Sequence, residues 1–337
     1  MLKFAIVGFG GLGKLHFRCY PEVKSKVKDE IKLVAICDIE DSAFTSQTAT
    51  NLGGENTDLD LKNYTLYKNV DDLLEKEELD FVITALPTYL HEEIGVKIMK
   101  KGINLFSEKP MAITYEKAEN MVRTAKEMGV KLMIGECCRY EPKHIKLKEF
   151  VDSGKFGKVV RAHFERGGTP PMWAWQNWFM DGKRSGGAAL DLHVHDVDLI
   201  NYIFGMPKAV CSLGTNYVSE HDSMHTLYYY DDAVVTSLVD WSYTQPKISR
   251  GIYSYIRFEK ASVKSEKGVL TVYPAEGEAY EVPLDSVDDY AAEMIDFVNC
   301  IIDDTVSAIN PAEETLKSTR IAFAEKLSAD TKEKITL

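Results

Sequence analysis

The chain lacks several features that would settle its class early. Its six cysteines (Cys19, Cys37, Cys137, Cys138, Cys211 and Cys300) contain no C-x-x-C pair and follow no framework spacing. That argues against a zinc ribbon or a disulfide scaffold and fits a reduced, cytoplasmic setting. No apolar run approaches the roughly eighteen residues of a membrane span. The apolar start turns glycine-rich at once, without a signal-peptide cleavage pattern. Positive charge is scarce too: 40 Lys and Arg against 52 Asp and Glu leave a net charge of −12, the wrong sign for gripping a nucleic-acid backbone. The lysines between Val23 and Lys32 are interrupted by Asp29 and read as a solvated loop. No internal repeat or low-complexity tract interrupts the chain.

What is present is ordinary globular material, 45% apolar and 27% charged over 337 residues, enough for two domains. The first part alternates short apolar runs with amphipathic stretches. This predicts strands at 2–7, 31–37, 64–67, 81–86, 103–106 and 131–135, with helices at 11–20, 41–52, 70–76, 92–101 and 115–128. Residues 53–63 read as a polar loop. Such alternation is the pattern of a doubly wound parallel α/β sheet. Beyond residue 137 the texture changes. A helix at 143–152 leads into β-branched and aromatic runs at 159–165, 209–218, 224–230, 234–243, 252–258 and 268–273. Short turns between several of them predict an antiparallel sheet. Helices are expected at 188–204, 289–303 and 311–328. The predicted domains are therefore 1–137 and 138–337, an α/β domain followed by an α+β domain.

Six residues at the end of the first strand carry the most chemistry: Gly8-Phe9-Gly10-Gly11-Leu12-Gly13. In a G-x-G-x-x-G turn the first glycine permits the sharp bend, the second lets backbone approach a pyrophosphate, and the third packs helix on strand. The helix N-terminus then offers its unpaired N–H groups to the phosphates. Asp38 ends the second predicted strand, 25 positions after Gly13. A carboxylate there accepts from the adenosine ribose hydroxyls and favours NAD over NADP, whose phosphate it would repel. Capping of the next helix is the competing role. Two more loops follow strand ends, Leu86-Pro87-Thr88 with His91 and Ser107-Glu108-Lys109-Pro110, where ligands of open parallel sheets bind. Pro110 restricts Lys109 to extended backbone.

The densest polar cluster is Gly186-Gly187 followed by Asp191-Leu192-His193-Val194-His195. On one helix, Asp191 and His195 share a face at i, i+4. An imidazole titrating near neutrality can take a hydroxyl proton as hydride leaves the same carbon. His193 points elsewhere and suits packing or the substrate. His193-x-His195 as a metal pair would need further ligands from other strand ends, and no second pair of that kind exists, so no metal is expected. Upstream, Trp173, Trp175 and Trp178 offer aromatic faces suited to a sugar-like ring or to loop packing.

Assembled, these motifs resemble the Gfo/Idh/MocA family, named for glucose–fructose oxidoreductase and inositol dehydrogenases. The resemblance rests on Gly8 to Gly13 with His16, Pro87 with His91, Glu108-Lys109-Pro110, Arg139-Tyr140 with Pro142, Gly154-x-x-Gly157, and Gly186-Gly187 leading to Asp191-x-x-x-His195. It implies a Rossmann domain and a C-terminal domain on a large, mostly antiparallel sheet, often used for homodimer or homotetramer contacts. It further implies Lys109, Asp191 and His195 as catalytic residues. The cofactor contacts would be Gly8, Gly10, Gly11, Leu12, Gly13, Asp38, Leu86, Pro87, His91, Glu108 and Lys109. Arg139, Tyr140, Trp178 and His193 would contact the substrate, a sugar, inositol or related polyol. His193 stands where the family commonly has glycine. Within the same fold, a redox-neutral lyase- or glycosidase-like enzyme and a non-catalytic NAD(P)-binding regulator are the alternatives.

Overall fold

The computed structural model describes residues 1–45, 59–245, 247 and 251–337. In the first part the apolar runs become β1 (Leu2–Val7), β2 (Ile31–Cys37), β3 (Thr65–Tyr67), β4 (Phe81–Thr84), β5 (Asn104–Glu108) and β6 (Leu132–Gly135). They form one parallel sheet in the order β3-β2-β1-β4-β5-β6. Helices α1 (Gly11–Lys26), α2 (Ser42–Thr45), α3 (Val70–Lys76), α4 (His91–Met99) and α5 (Tyr115–Met128) connect them. Strands covered on both faces are apolar at every position rather than at alternate ones, and all four residues of β4 are buried. The strand order reverses between β1 and β4, which makes the crevice beyond their carboxyl ends the ligand position of such a sheet.

Two expectations change here. The lysine-rich stretch after Tyr20 is not all loop: α1 continues through Pro21 to Lys26, because Cys19 and Val23 keep its buried face on the core. Lys24 and Lys26 then fall in the last helical turn, where cations suit the helix dipole. Of the helix predicted at 41–52, residues 46–52 lie outside the described residues, as do 53–58 of the predicted loop.

The second part contains α6 (Pro142–Asp152), β7 (Val159–Gly167), α7 (Gly182–Ser185), α8 (Gly187–Asp191), α9 (Val194–Phe204), β8 (Ala209–Thr215), β9 (Ser223–Tyr229) and β10 (Val234–Asp240). It continues with β11 (Ile252–Phe258), β12 (Ala261–Glu266), β13 (Val269–Pro274) and β14 (Tyr280–Glu281). With β15 (Ile335–Thr336) these strands make a nine-stranded sheet, β14-β13-β12-β11-β7-β10-β9-β8-β15. Its pairings are antiparallel except β7 with β10. Ala188, Ala189, Met224, Val239, Trp241 and Ala329 form a core cluster here.

The compact units cross the chain more than once. The first comprises Met1–Cys137 with Asp288–Glu313, and the second Cys138–Val287 with Glu314–Leu337. The single predicted boundary at 137 therefore has a return beyond it. Helix α10 (Asp289–Ile302) explains that return, since Ala291, Met294, Phe297 and Val298 form one apolar stripe buried in the core of the first unit. Phe297 meets Phe81 and Phe106 edge-on, with ring centroids 5.8 and 5.6 Å away. The last helix, α11 (Ala312–Thr331), enters the second unit at Glu314. Among the described residues, no helix is long and apolar enough to cross a membrane.

Candidate active site

In the first unit the glycine turn behaves as its spacing predicts. Gly8 has φ +86°, and a Cβ there would lie 2.3 Å from the Ala85 carbonyl oxygen. A Cβ at Gly13 would lie 2.0 Å from the Gly8 carbonyl oxygen, so both are filled by the chain itself. Gly10 is different. A Cβ there would meet nothing within 4 Å. It precedes α1 without a side-chain cap, and Gly11 and Leu12 begin the helix. The result is an open, amide-lined cradle of the kind that receives a pyrophosphate, so these residues fit a dinucleotide.

Asp38 is half-buried beside that cradle. One carboxylate oxygen accepts from the Phe9 N–H at 2.7 Å and the other from the Glu40 N–H at 2.9 Å. Each oxygen keeps a second lone pair for a hydroxyl donor. Lys14, in the first turns of α1, was not singled out by the sequence motifs. It is 3% exposed, and burial holds its ammonium below the usual range while Asp38 pulls it back.

The side chains of Glu108 and His91 brace the loops after β5 and β4. Glu108 is 2% exposed and lies 2.6 Å from His16 Nε2; the other nitrogen of that ring lies 3.3 Å from Met294 Sδ. His91, also buried, has Nε2 2.7 Å from the Leu86 carbonyl oxygen and Nδ1 2.7 Å from that of Pro110. It thereby links the loop after β4, with Leu86 and Pro87, to the loop after β5, with Lys109. Burial keeps the His91 pKa below its usual value against the pull of both carbonyls and Glu108. Lys109 itself is half-buried at the end of β5.

In the second unit the predicted helix over 188–204 is interrupted. Asp191 ends α8 and His195 lies in the first turn of α9, with Leu192 and His193 between. The Ala188 carbonyl accepts from both Leu192 and His193 N–H, at 3.1 and 2.9 Å, a wide turn that alters the i, i+4 relation. The cause lies in the His193 side chain. It is wholly buried, 3.1 Å from Ser237 Oγ, 3.4 Å from the Tyr228 hydroxyl and 3.4 Å from a Glu325 oxygen. The His193 ring is thus anchored within the core of the second unit. The glycines before it are required: Gly187 has φ +72°, and a Cβ there would fall 1.9 Å from the Glu220 carbonyl oxygen.

Arg139 is also a core residue, 1% exposed and bidentate to Asp198 at 2.7 and 2.6 Å. Ser318 donates to the same carboxylate at 2.7 Å, and Tyr140 is 4% exposed. Arg166 pairs with Asp196 at 2.9 and 3.1 Å. Together Asp196, Asp198 and His193 stake the start of α9, on which half-buried His195 sits. Its Nδ1 lies 3.7 Å from Cys138 Sγ. The two imidazoles of the His193-x-His195 pair address different partners and do not converge. Cys138, Glu141 and His144 bring ligand-type atoms within 4.8 Å of one another. Lys143 pairs with Glu141, however, and the His144 Nδ1 bonds the Cys138 carbonyl at 2.8 Å. Trp173 and Trp175 are 44% and 39% exposed, and half-buried Trp178 packs on Phe179 with centroids 4.1 Å apart.

Residues 2–136 match the Gfo/Idh/MocA description "Oxidoreductase family, NAD-binding Rossmann fold", and residues 144–270 match the C-terminal domain of the same family. The chain belongs to the Gfo/Idh/MocA oxidoreductase family. Among curated relatives of this family member, the 2,7-anhydro-N-acetylneuraminate hydratase of Mediterraneibacter gnavus is 32% identical over 214 residues, 63% of this chain and 52% of that one. The myo-inositol 2-dehydrogenase of Thermotoga maritima is 28% identical over 207 residues, 60% of this chain and 55% of that one. The chain thus spans about half the length of these curated relatives. Among solved structures, the WlbA dehydrogenase from Bordetella pertussis, in complex with NADH and UDP-GlcNAcA, superposes with a TM-score of 0.81. The identity is 20%, covering 100% of this chain and 98% of that one, a likeness of fold.

Proposed function

We propose that the protein is an NAD(H)-dependent oxidoreductase acting on a secondary alcohol or ketone of a sugar, inositol or related polyol. The observation that carries this reading is the open cradle at Gly10 with the Asp38 carboxylate beside it. Bound NAD would supply the hydride acceptor for alcohol oxidation. The chain supplies the rest. His195 takes the hydroxyl proton, Lys109 stabilises the developing alkoxide, and Asp191 orients the imidazole or binds a substrate hydroxyl. His91 and Glu108 hold the loops around Lys109, and Asp38 selects NAD over NADP by refusing a second negative charge. Leu213, His225, Leu227 and Val234 project from one uncovered face of the nine-stranded sheet, which supports a homodimer or homotetramer through that face.

The naming of a curated relative as a hydratase favours one second reading, a redox-neutral reaction that oxidises and re-reduces one carbon. Incubation with NAD and a panel of polyols and sugars separates the two. Net NADH is expected for the dehydrogenase, and product without net NADH supports the redox-neutral scheme. Lys109→Met should lower turnover by at least about 100-fold while NADH affinity, read by calorimetry, is retained. Undiminished turnover would reject the role given to Lys109, and no heat with either oxidised or reduced coenzyme would reject the whole reading.

A further inference from the structure

We propose that Cys138 is a positioning residue for His195, setting the rotation of its ring and the nitrogen on which its proton sits. This rests on the reading of His195 as the group that exchanges a proton with substrate.

Cys138 Sγ lies 3.7 Å from His195 Nδ1, within hydrogen-bond reach for sulfur. The same sulfur accepts from Arg166 Nη2, also at 3.7 Å. It is therefore held between a guanidinium and an imidazole. The guanidinium and the thiol are both fixed. Arg166 is locked by two hydrogen bonds to Asp196, and the Cys138 residue is 3% exposed. Its backbone carbonyl bonds the buried His144 Nδ1, and the next residue, Arg139, is bidentate to Asp198. The thiol thus has a fixed address from which to hold the ring.

An imidazole used for proton transfer must present one nitrogen in one state, and the bond made by its other nitrogen decides which. Carboxylates and backbone carbonyls commonly supply that bond; here it comes from sulfur. With Nδ1 committed to Sγ, proton exchange with substrate is assigned to Nε2. Nδ1–H donating to sulfur leaves the Nε2 lone pair to take the hydroxyl proton, the tautomer that this role requires.

The test reads the ring directly. The full chain labelled with nitrogen-15 in its histidine rings is compared as wild type, Cys138→Ala and Cys138→Val, with the His195 signals assigned by their loss in His195→Gln. Removing the sulfur should change the tautomer ratio of His195 by at least about threefold, the loss of one modest hydrogen bond. Retained NADH binding and circular dichroism identify the folded variants, and Cys138→Val stands in should Cys138→Ala fail to fold. An unchanged ratio in a folded variant overturns the proposal. The catalytic reading fails separately, through undiminished turnover in His195→Gln, because the tautomer measurement needs no substrate.

Discussion

His193 makes the stability of the second unit depend on pH in a direction that can be worked out in advance. Burial alone would pull this imidazole down, but Glu325 and Asp196 outweigh it and raise its pKa to about 9. An unfolded chain returns it to the ordinary 6.5. Below pH 6.5 both states hold the proton and the stabilisation is fully present. Between 6.5 and 9 only the folded state holds it, so stability falls as pH rises and the contribution is lost through pH 9. The difference of about 2.5 pH units corresponds to about 3 kcal/mol at 1.36 kcal/mol per unit. Urea unfolding followed by tryptophan fluorescence measures this well, because Trp173, Trp175, Trp178 and Trp241 all belong to the second unit and Trp241 is 2% exposed. Wild type should lose about 3 kcal/mol more than His193→Gln between pH 6 and 9.5. Glu325→Gln should be less stable at pH 6 and show most of that pH dependence removed. Parallel curves for wild type and His193→Gln would refute the reasoning.

Three further substitutions bear on the cradle, on the first residue of α8 and on a control glycine. Asp38→Ser removes a charge worth about 1 to 4 kcal/mol against a phosphate 4 Å away, so the ratio of NADP to NAD dissociation constants should fall at least tenfold, roughly 1.4 kcal/mol, by calorimetry; an unchanged ratio would remove the ribose assignment. Gly187→Ala combines left-handed backbone with displacement of the Glu220 carbonyl and should cost at least about 2 kcal/mol in urea unfolding. Gly268→Ala, at φ +81° but with nothing within 4 Å of the added Cβ, should cost only about 1 kcal/mol, and equal losses would show that close approach is not what Gly187 serves.

The parallel sheet was legible because its buried strands are unbroken apolar runs bounded by turn residues. The N-cap of α5 is equally local, the Thr114 side chain accepting from the Lys117 N–H at 3.3 Å. Strand β12 was not legible: Ala-Ser-Val-Lys-Ser-Glu alternates buried and half-buried positions but fills two of its three buried places with small residues. The cradle glycines could be read from spacing, since strand–turn–helix chemistry acts over a few residues. The partners of Glu108, His193 and Cys138 could not. His16, Glu325 and His195 lie far along the chain from them, and each pairing exists only once strands and helices have packed. The break before α9 belongs with these, because it follows the His193 side chain into the core.

The return of α10 has a consequence for how the protein is made. A ribosome has released the whole Rossmann sheet long before it reaches Phe297, so Phe81 and Phe106 wait without their partner through the synthesis of most of the second unit. The first unit to emerge is therefore the one that closes late, once α10 has left the ribosome and packed on the Phe81 and Phe106 rings.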